Sequence, residues 1–405
     1  MTRHSRNEAL ALDRADPLKD TCQFFDLPDG VIYLDGNSLG PPPLMALKRL
    51  EATAKQEWQQ DLITSWNKAG WFDLPKHAGA KIARLIGVRD DDVLVTDTVS
   101  ANIFKLAAAL YRDRPGIIAY EAGEFPTDGY ILQGLAQLTG APLKTITPAD
   151  INALSTDNIS VLVKSAVHYK SAKITDIAAW EDAASRAGTR IIWDLSHATG
   201  LIDLSLAKAG ANYAVGCGYK YLNGGPGAPA FVYAEGAIAN RLHQPLAGWM
   251  GHAAPFTFDG TYKPANGIAR FASGTPPILS LSTFDGALDV FDGIDMAQVE
   301  QKALALGDLF LGQLKEFGFA LASPDIGQSR GGHVSLEFDY GYNVVQALID
   351  RGVIGDFRAP NIMRFGFSPL YLSYKDVFEA TEIFRDIMLT ERWRAPQYAA
   401  KSKVT

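Results

Sequence analysis

A series of short, almost wholly apolar segments spaced by helix-length stretches constrains this chain more than any other feature. DDVLVT (91–96), GIIAY (116–120), SVLVKSAV (160–167), TRIIWDL (189–195), NYAVGCGY (212–219) and APAFVYA (228–234) read as strands. Between them, residues 99–111, 127–138 and 177–188 carry the apolar spacing of helices. Strands apolar on both faces and separated by helices mean a sheet buried on both sides, hence α/β and mainly parallel. After Ser280 the pattern changes to long helical stretches (281–294, 297–316), HVSLEFDY (333–340), a helix at 343–351, FGFS (365–368) and a last helix near 375–391. At 405 residues the chain exceeds one small core. The expected architecture is an N-terminal arm (1–45) packing on the small domain or on a partner subunit, a large domain (46–280) and a small α+β domain (281–405), with the tail after Pro396 frayed.

The remaining bulk features exclude several classes. A net charge of −7 disfavours nucleic acid and anionic membrane surfaces, which require basic residues. Two cysteines, Cys22 and Cys217, cannot build a disulfide framework or a CxxC metal site. The opening MTRHSRNEALALDRADPL has no apolar core of a signal peptide, and no apolar run reaches the roughly 20 residues of a membrane span. A soluble cytoplasmic protein is expected, with no metal.

Two segments carry the chemistry. IIWDLSHATG (191–200) places Asp194 at the carboxyl end of a buried strand, where open α/β sheets bind ligands. A buried carboxylate needs a cationic or hydrogen-bonding partner. A protonated pyridine nitrogen is one such partner; a helix cap or an arginine pair is the plainer one. In CGYKYLNGGPGAPA (217–230), Lys220 follows an apolar strand and precedes a Gly/Pro-rich loop. A free ammonium is costly there unless it snorkels to solvent, whereas an imine with an aldehyde removes the cost and gives a covalent handle. Asp194 and then Lys220, with one crossover between, is the order found in fold-type-I pyridoxal-phosphate (PLP) enzymes. TDTVSANIF (96–104) offers hydroxyls and N–H groups at a helix start for a phosphate, with the Val99 N–H and the Ser100 hydroxyl as candidates. Capping by Thr98 or Ser100 is the alternative. EFPTDGY (124–130) puts an aromatic and an acid on a strand-to-helix loop. GWMGH (248–252) and SGTPPILS (273–280) are turn-rich, with an indole N–H and a hydroxyl to offer.

DGNSLG, FPTD, WDLSHATG, GYKYLNGGPG, GWMGH and GTPPIL occur in the order and near the spacings of the kynureninase family, and the chain resembles its bacterial members from YLDGNSLGPPP (33–43) to MRFGFSPLY (363–371). The resemblance implies a fold-type-I PLP enzyme related to class-V aminotransferases. Lys220 would hold the cofactor, with Tyr219 beside the phosphate and the reacting carbons. Asp194, assisted by Asp128, would pair with the ring nitrogen, Phe125 would stack on the ring, and Ser165 and His197 would complete its surroundings. Val99 and Ser100 would hold the phosphate. Trp249 and Thr275 would reach it from the second subunit of a homodimer, and Arg364 would clamp the substrate α-carboxylate. The implied reaction is hydrolysis of L-kynurenine to anthranilate and L-alanine in tryptophan breakdown. Thr275 and Trp66 stand where members acting on 3-hydroxykynurenine carry asparagine and histidine, so both residues are expected to contact substrate and to favour the unhydroxylated form.

Other readings have less behind them. A cysteine desulfurase needs a thiol on a loop after the lysine, and SPDIGQSRGGH (323–333) has none. An aminotransferase uses the same lysine and aspartate, and only the family motifs separate it. An idle PLP-binding protein does not need Tyr219, Lys220, Asp194 and Arg364 together. A nicotinamide dehydrogenase lacks its GxGxxG.

Overall fold

The computed structural model describes residues 3–147 and 151–400. Its centre is a seven-stranded sheet of β1 (Val93–Val95), β2 (Ile117–Glu121), β3 (Leu143–Ile146), β4 (Ile159–Ser165), β5 (Arg190–Asp194), β6 (Tyr213–Gly216) and β7 (Phe231–Ala234), in the order β1-β7-β6-β5-β4-β2-β3. All neighbours pair in parallel except β7, which is antiparallel to both β1 and β6. The sheet is therefore mainly parallel and α/β, as the apolar runs require. Side chains alternate across it. Val161, Val163, Ile192 and Val215 enter one core with Ile103, Leu106 and Leu132, while Leu162, Ile191, Trp193 and Ala214 enter the other. Strand β3 escaped the sequence reading because it is an edge strand with mostly uncovered side chains.

Helices cover both faces: α1 (Arg6–Ala15), α2 (Leu44–Ala52), α3 (Leu74–Ile86), α4 (Val99–Asp113), α5 (Pro126–Thr139), α6 (Ile177–Ala187), α7 (Ile278–Leu288), α8 (Met296–Leu314), α9 (Gly341–Ile349) and α10 (Tyr374–Leu389). A second, antiparallel sheet runs β10-β11-β9-β8, from β8 (Ala320–Leu321), β9 (His333–Glu337), β10 (Asp356–Arg358) and β11 (Ile362–Gly366). The boundary expected at 280 falls inside α7. That helix packs on α2 and α3, and the change of layer comes only with α8, which packs on α10. The composition shift marks a helix start, not the surface the helix covers.

The N-terminal arm lies on the second layer. Helix α1 packs along α10, and Asp13 caps α10 by accepting from the Tyr374 and Lys375 amides at 2.7 and 3.1 Å. Ile32–Tyr33 pairs in parallel with Val353–Ile354. After Pro396 the chain forms a short helical turn over Pro396–Ala399, with Tyr398 buried and donating to Asp350 at 2.7 Å. Residues 401–405 of the expected tail lie outside the described residues. Among the described residues no helix is long and apolar enough to cross a membrane, and no cluster of His, Cys, Asp and Glu could hold a metal.

One buried ion pair fastens this arm. Asp16 lies 2.7 Å from Lys302 of α8, both nearly without exposure, and Lys302 also donates to the Pro369 carbonyl at 2.7 Å. Removing one member leaves an uncompensated buried charge. Asp16→Ala is expected to lower stability by about 3 kcal/mol and Asp16→Leu with Lys302→Met by much less, measured as urea midpoints.

Candidate active site

The carboxyl ends of the central strands open into one cavity of about 580 Å³. β1 leads into Thr96–Ser100 at the start of α4, β4 ends at Ser165, β5 at Asp194, and the chain leaving β6 carries Cys217, Tyr219 and Lys220 to the wall. Ser165 and Asp194 are register partners on adjacent strands, so both point past the same sheet edge. Phe125, Thr127 and Asp128 come from the first turn of α5, Tyr169 and His197 from loops, and Thr275 from the Gly274–Pro277 turn. The N-terminal arm closes the back of the lysine loop: the Gly40 amide donates to the Tyr219 carbonyl at 2.8 Å, and a side chain on Gly40 would strike the Lys220 carbonyl and Asn223.

The electrostatics are lopsided. Asp194 is buried, and its carboxylate accepts the Ser196 amide at 2.8 Å. Asp128 is buried beside it, and burial, then the charges of Asp194 and Glu124, hold its carboxyl far above the ordinary range. Glu124 accepts the Ser165 hydroxyl at 2.6 Å and is pushed to about 7 by burial and then by Asp194, against the Ser165 bonds. Among the described residues neither Asp128 nor Asp194 has a lysine or arginine ion-pair partner. Lys220 Nζ stands 3.4 Å from His197 Nδ1 and 5.8 Å from the Tyr219 ring centre. Burial, followed by Lys220, keeps His197 neutral, and burial keeps the Tyr219 phenol protonated far into alkali. At α4, the Thr98 hydroxyl caps the Ala101 amide at 3.2 Å, which leaves the Val99 and Ser100 amides at the cavity wall. Asp97, next to this anion-favouring end, is neutralised by the fully buried Lys105, which also donates to the Phe271 carbonyl at 2.6 Å. Carboxylates in want of a cation, a helix N-terminus with free amides and the half-exposed Phe125 ring suit a phosphorylated pyridinium ring.

Comparison with known proteins agrees along the whole chain. The family description "Kynureninase C-terminal domain" matches residues 299–384. A kynureninase of Burkholderia mallei (strain SAVP1) is 46% identical over 414 aligned residues, covering 99% of this chain and 100% of the relative. A kynureninase of Pseudomonas fluorescens is 44% identical over the same spans. The chain belongs to the kynureninase family. Solved structures share the fold at far lower identity. The Escherichia coli cysteine desulfurase CsdA superposes with a TM-score of 0.78 at 18% identity, covering 92% of this chain and 98% of its own. The cystine C–S lyase C-DES, in complex with its product cysteine persulfide, gives 0.77 at 16%, covering 88% and 98%.

Most of the residues expected at the site meet in the one cavity: Val99, Ser100, Phe125, Asp128, Ser165, Asp194, His197, Tyr219, Lys220 and Thr275 line it. Three do not. Trp66 stacks edge-on against Trp71, with ring centres 5.9 Å apart, and lies outside the cavity. Trp249 packs on Phe256 in an exposed loop, also outside. Arg364 sits behind Tyr169 rather than on the wall: Nη1 donates to the Tyr169 carbonyl at 2.7 Å, Nη2 to Ser38 at 2.9 Å, and Nε and Nη2 grip Asp356 at 2.9 and 2.5 Å. Its carboxylate-matching fork is thus already filled.

Sequence reasoning passed over Glu124, Tyr169, Lys105 and Asp356. Signals existed for some of them: Lys105 interrupts an otherwise apolar helix face, and Glu124 directly precedes FPTD. Asp356 lies directly across the strand pair from Arg364. Glu124 gives a pH test. Its folded pKa of about 7 exceeds the ordinary 4.5, so its contribution to stability is full below 4.5 and is lost as pH rises through 7. Thermal melts of the cofactor-free chain are expected to show Glu124→Gln gaining on the wild type between pH 5 and pH 8, by on the order of 2 kcal/mol.

Proposed function

We propose that this chain hydrolyses the Cβ–Cγ bond of L-kynurenine, giving anthranilate and L-alanine, with pyridoxal phosphate held on Lys220. One observation carries the reading: Lys220, the cation-poor acids Asp128 and Asp194 and a free helix N-terminus share one cavity in a chain 46% identical to a kynureninase over its full length.

When bound, the cofactor supplies an aldehyde carbon for the substrate amine and an electron sink for bond breaking. The chain's own residues do the rest. The Val99 and Ser100 amides receive the phosphate, with Thr275 lining the same cavity. Asp194, backed by Asp128, holds a proton at the ring nitrogen, and Phe125 covers the ring face. The Lys220 amine takes the substrate α-proton. The Tyr219 phenol, still protonated at neutral pH, donates to the side-chain ketone oxygen as water adds to its carbon, recovers a proton from the added water, and delivers it to Cβ as the Cβ–Cγ bond breaks. Arg364 would receive the α-carboxylate by exchanging its contacts with Ser38 and the Tyr169 carbonyl for it, while Asp356 keeps the guanidinium in place.

The working unit in this proposal is a cytoplasmic homodimer. Trp249, Phe256 and Phe258 expose aromatic rings in one loop, and Trp58, Leu62 and Ile63 expose apolar side chains in another stretch; a second copy covering them would carry Trp249 to its neighbour's cavity. Unpaired Cys22 and Cys217 accord with a reducing compartment. Of the two specificity residues, only Thr275 reaches the cavity of its own chain, and its short side chain offers little to a ring hydroxyl.

The reading is tested with holoenzyme and L-kynurenine. Anthranilate and alanine are expected in equal amounts, and Lys220→Ala is expected to abolish both along with the lysine-bound cofactor band. A cofactor-loaded enzyme that forms no anthranilate refutes the reaction. Tyr219→Phe is expected to lower kcat about 100-fold with KM little changed; full turnover would remove Tyr219 from proton transfer. kcat/KM is expected to favour L-kynurenine over its 3-hydroxy derivative by about tenfold, checked by parallel initial rates.

A further inference from the structure

A second buried imidazole lies behind the cavity and takes no part in the steps above. His333 opens β9, is fully buried, and has its ring centre 5.8 Å from that of His197, tilted by 56°. Three buried nitrogens meet there without hydrogen-bond partners: both ring nitrogens of His333 and Nε2 of His197. Buried polar atoms are rarely left so, because each one costs the water it has given up.

The position is built. Gly331 and Gly332 bring the strand in so closely that a side chain on the first would strike Val167 and one on the second Leu201 and Tyr221. The Gly331 amide donates to the Ala172 carbonyl at 2.7 Å, and the Phe367 amide to the Gly332 carbonyl at 2.6 Å, which pins the imidazole from both sides.

Charge then decides the protonation. His197 faces Lys220, Arg364, His333 and Arg358, and His333 faces Arg364, His168 and Lys220; after burial itself, each of these opposes a second proton. Only the Lys170 backbone favours a proton on His333, and it lies outside hydrogen-bond alignment. Each ring therefore carries one proton, and the open question is which nitrogen holds it. His197 Nδ1 stands 3.4 Å from Lys220 Nζ, a group with donors only when charged, so Nδ1 is the acceptor and the proton sits on Nε2.

We propose that His333 is a positioning residue that accepts the Nε2–H of His197 through one bridging water, and so fixes the His197 tautomer whose Nδ1 receives Lys220. The proposal rests on the reading of Lys220 as the cofactor-holding lysine. It makes a residue of the second sheet part of the lysine's environment, so that the placement of that sheet is felt at Nζ.

Nitrogen NMR of the cofactor-free chain labelled in histidine tests the tautomer without cofactor or variant. His197, assigned with His197→Asn, is expected as the Nε2–H form; the Nδ1–H form overturns the proposal. In holoenzyme, pH titration of the cofactor absorbance band reads the coupling to Lys220. His333→Leu is expected to move its midpoint about half a unit lower and kcat down about tenfold, with KM within about twofold. His333→Gln, whose amide both accepts and donates, is expected to restore both. A midpoint unmoved in His333→Leu overturns the proposal. A lysine-type band that survives in Lys220→Ala overturns the Lys220 reading beneath it, while the apo tautomer still reports on the histidine pair, so the two failures are told apart.

Discussion

Several deeply buried charges of the described residues are paired within the chain, and the acids of the cavity are not. Lys105 answers the part-exposed Asp97, and Lys164 answers Glu121, Lys302 answers Asp16 and Arg364 answers Asp356 with little or no exposure. Asp128 and Asp194, with Glu124 close behind, share a cavity lined among the described residues by one lysine, Lys220, which stands against an imidazole instead. A buried carboxylate pair without a cation is expensive enough that a fold does not keep it by accident. The site is complementary to something positive that the polypeptide lacks, and a protonated pyridine ring meets that need from within the cavity. The depression that would follow from a cation and the elevation seen at Asp128 are two sides of the same account.

The anion end follows the opposite rule. Asp97 would repel a phosphate from the start of α4, and its left-handed backbone (φ 51°) places it there as part of the turn. Lys105, two turns along the same helix, removes that charge from inside, so the helix terminus faces the cavity with its amides unopposed. Arg364 shows the same division of labour. Asp356 opposite it on β10 and Ser38 from the N-terminal arm hold the guanidinium rigid, with burial opposed by Arg364 and Arg358 in keeping Asp356 ionised. Nearby Asp35 is pushed to about 7 by burial and then by Asp356, which leaves the junction less negative than its composition suggests. The arm, the second sheet and the lysine loop meet at these charges, and the cavity depends on all three.

What the sequence makes legible and what it hides divide along physical lines. The buried strands announce themselves because both faces are apolar, and Asp194 and Lys220 stand out because charge at the end of such a strand is costly. Those two residues and the run from Thr96 to Ser100 do meet in one cavity. Strand β3 is hidden because an edge strand need not be apolar. The α7 boundary is hidden because composition does not say which surface a helix covers. Glu124 and Asp356 are hidden because each draws its meaning from a partner distant in sequence or across a hairpin, Ser165 for one and Arg364 for the other. Trp66 rests on motif likeness alone, and Trp249 on an indole N–H in a turn and on likeness that assigns it to a second subunit; neither lines the cavity of its own chain.

The likeness to desulfurases and a C–S lyase at 15–18% identity shows how little of this chemistry the fold dictates. The parallel sheet supplies a carboxyl-end crevice, a helix terminus and a lysine, all compatible with several reactions. Selectivity must come from what the loops bring in. Here the segment from Ser323 to His333 contains no thiol and ends in two glycines that press an imidazole against the back of the cavity. Tyr219, directly before the lysine, keeps its proton because it is buried among acids and a thiol, and a phenol that stays protonated suits addition of water to a ketone better than attack on sulfur. The reaction is thus set by proton inventory around a shared frame: which groups are forced to keep a proton, which are denied one, and how firmly the neighbouring layer holds them in that state.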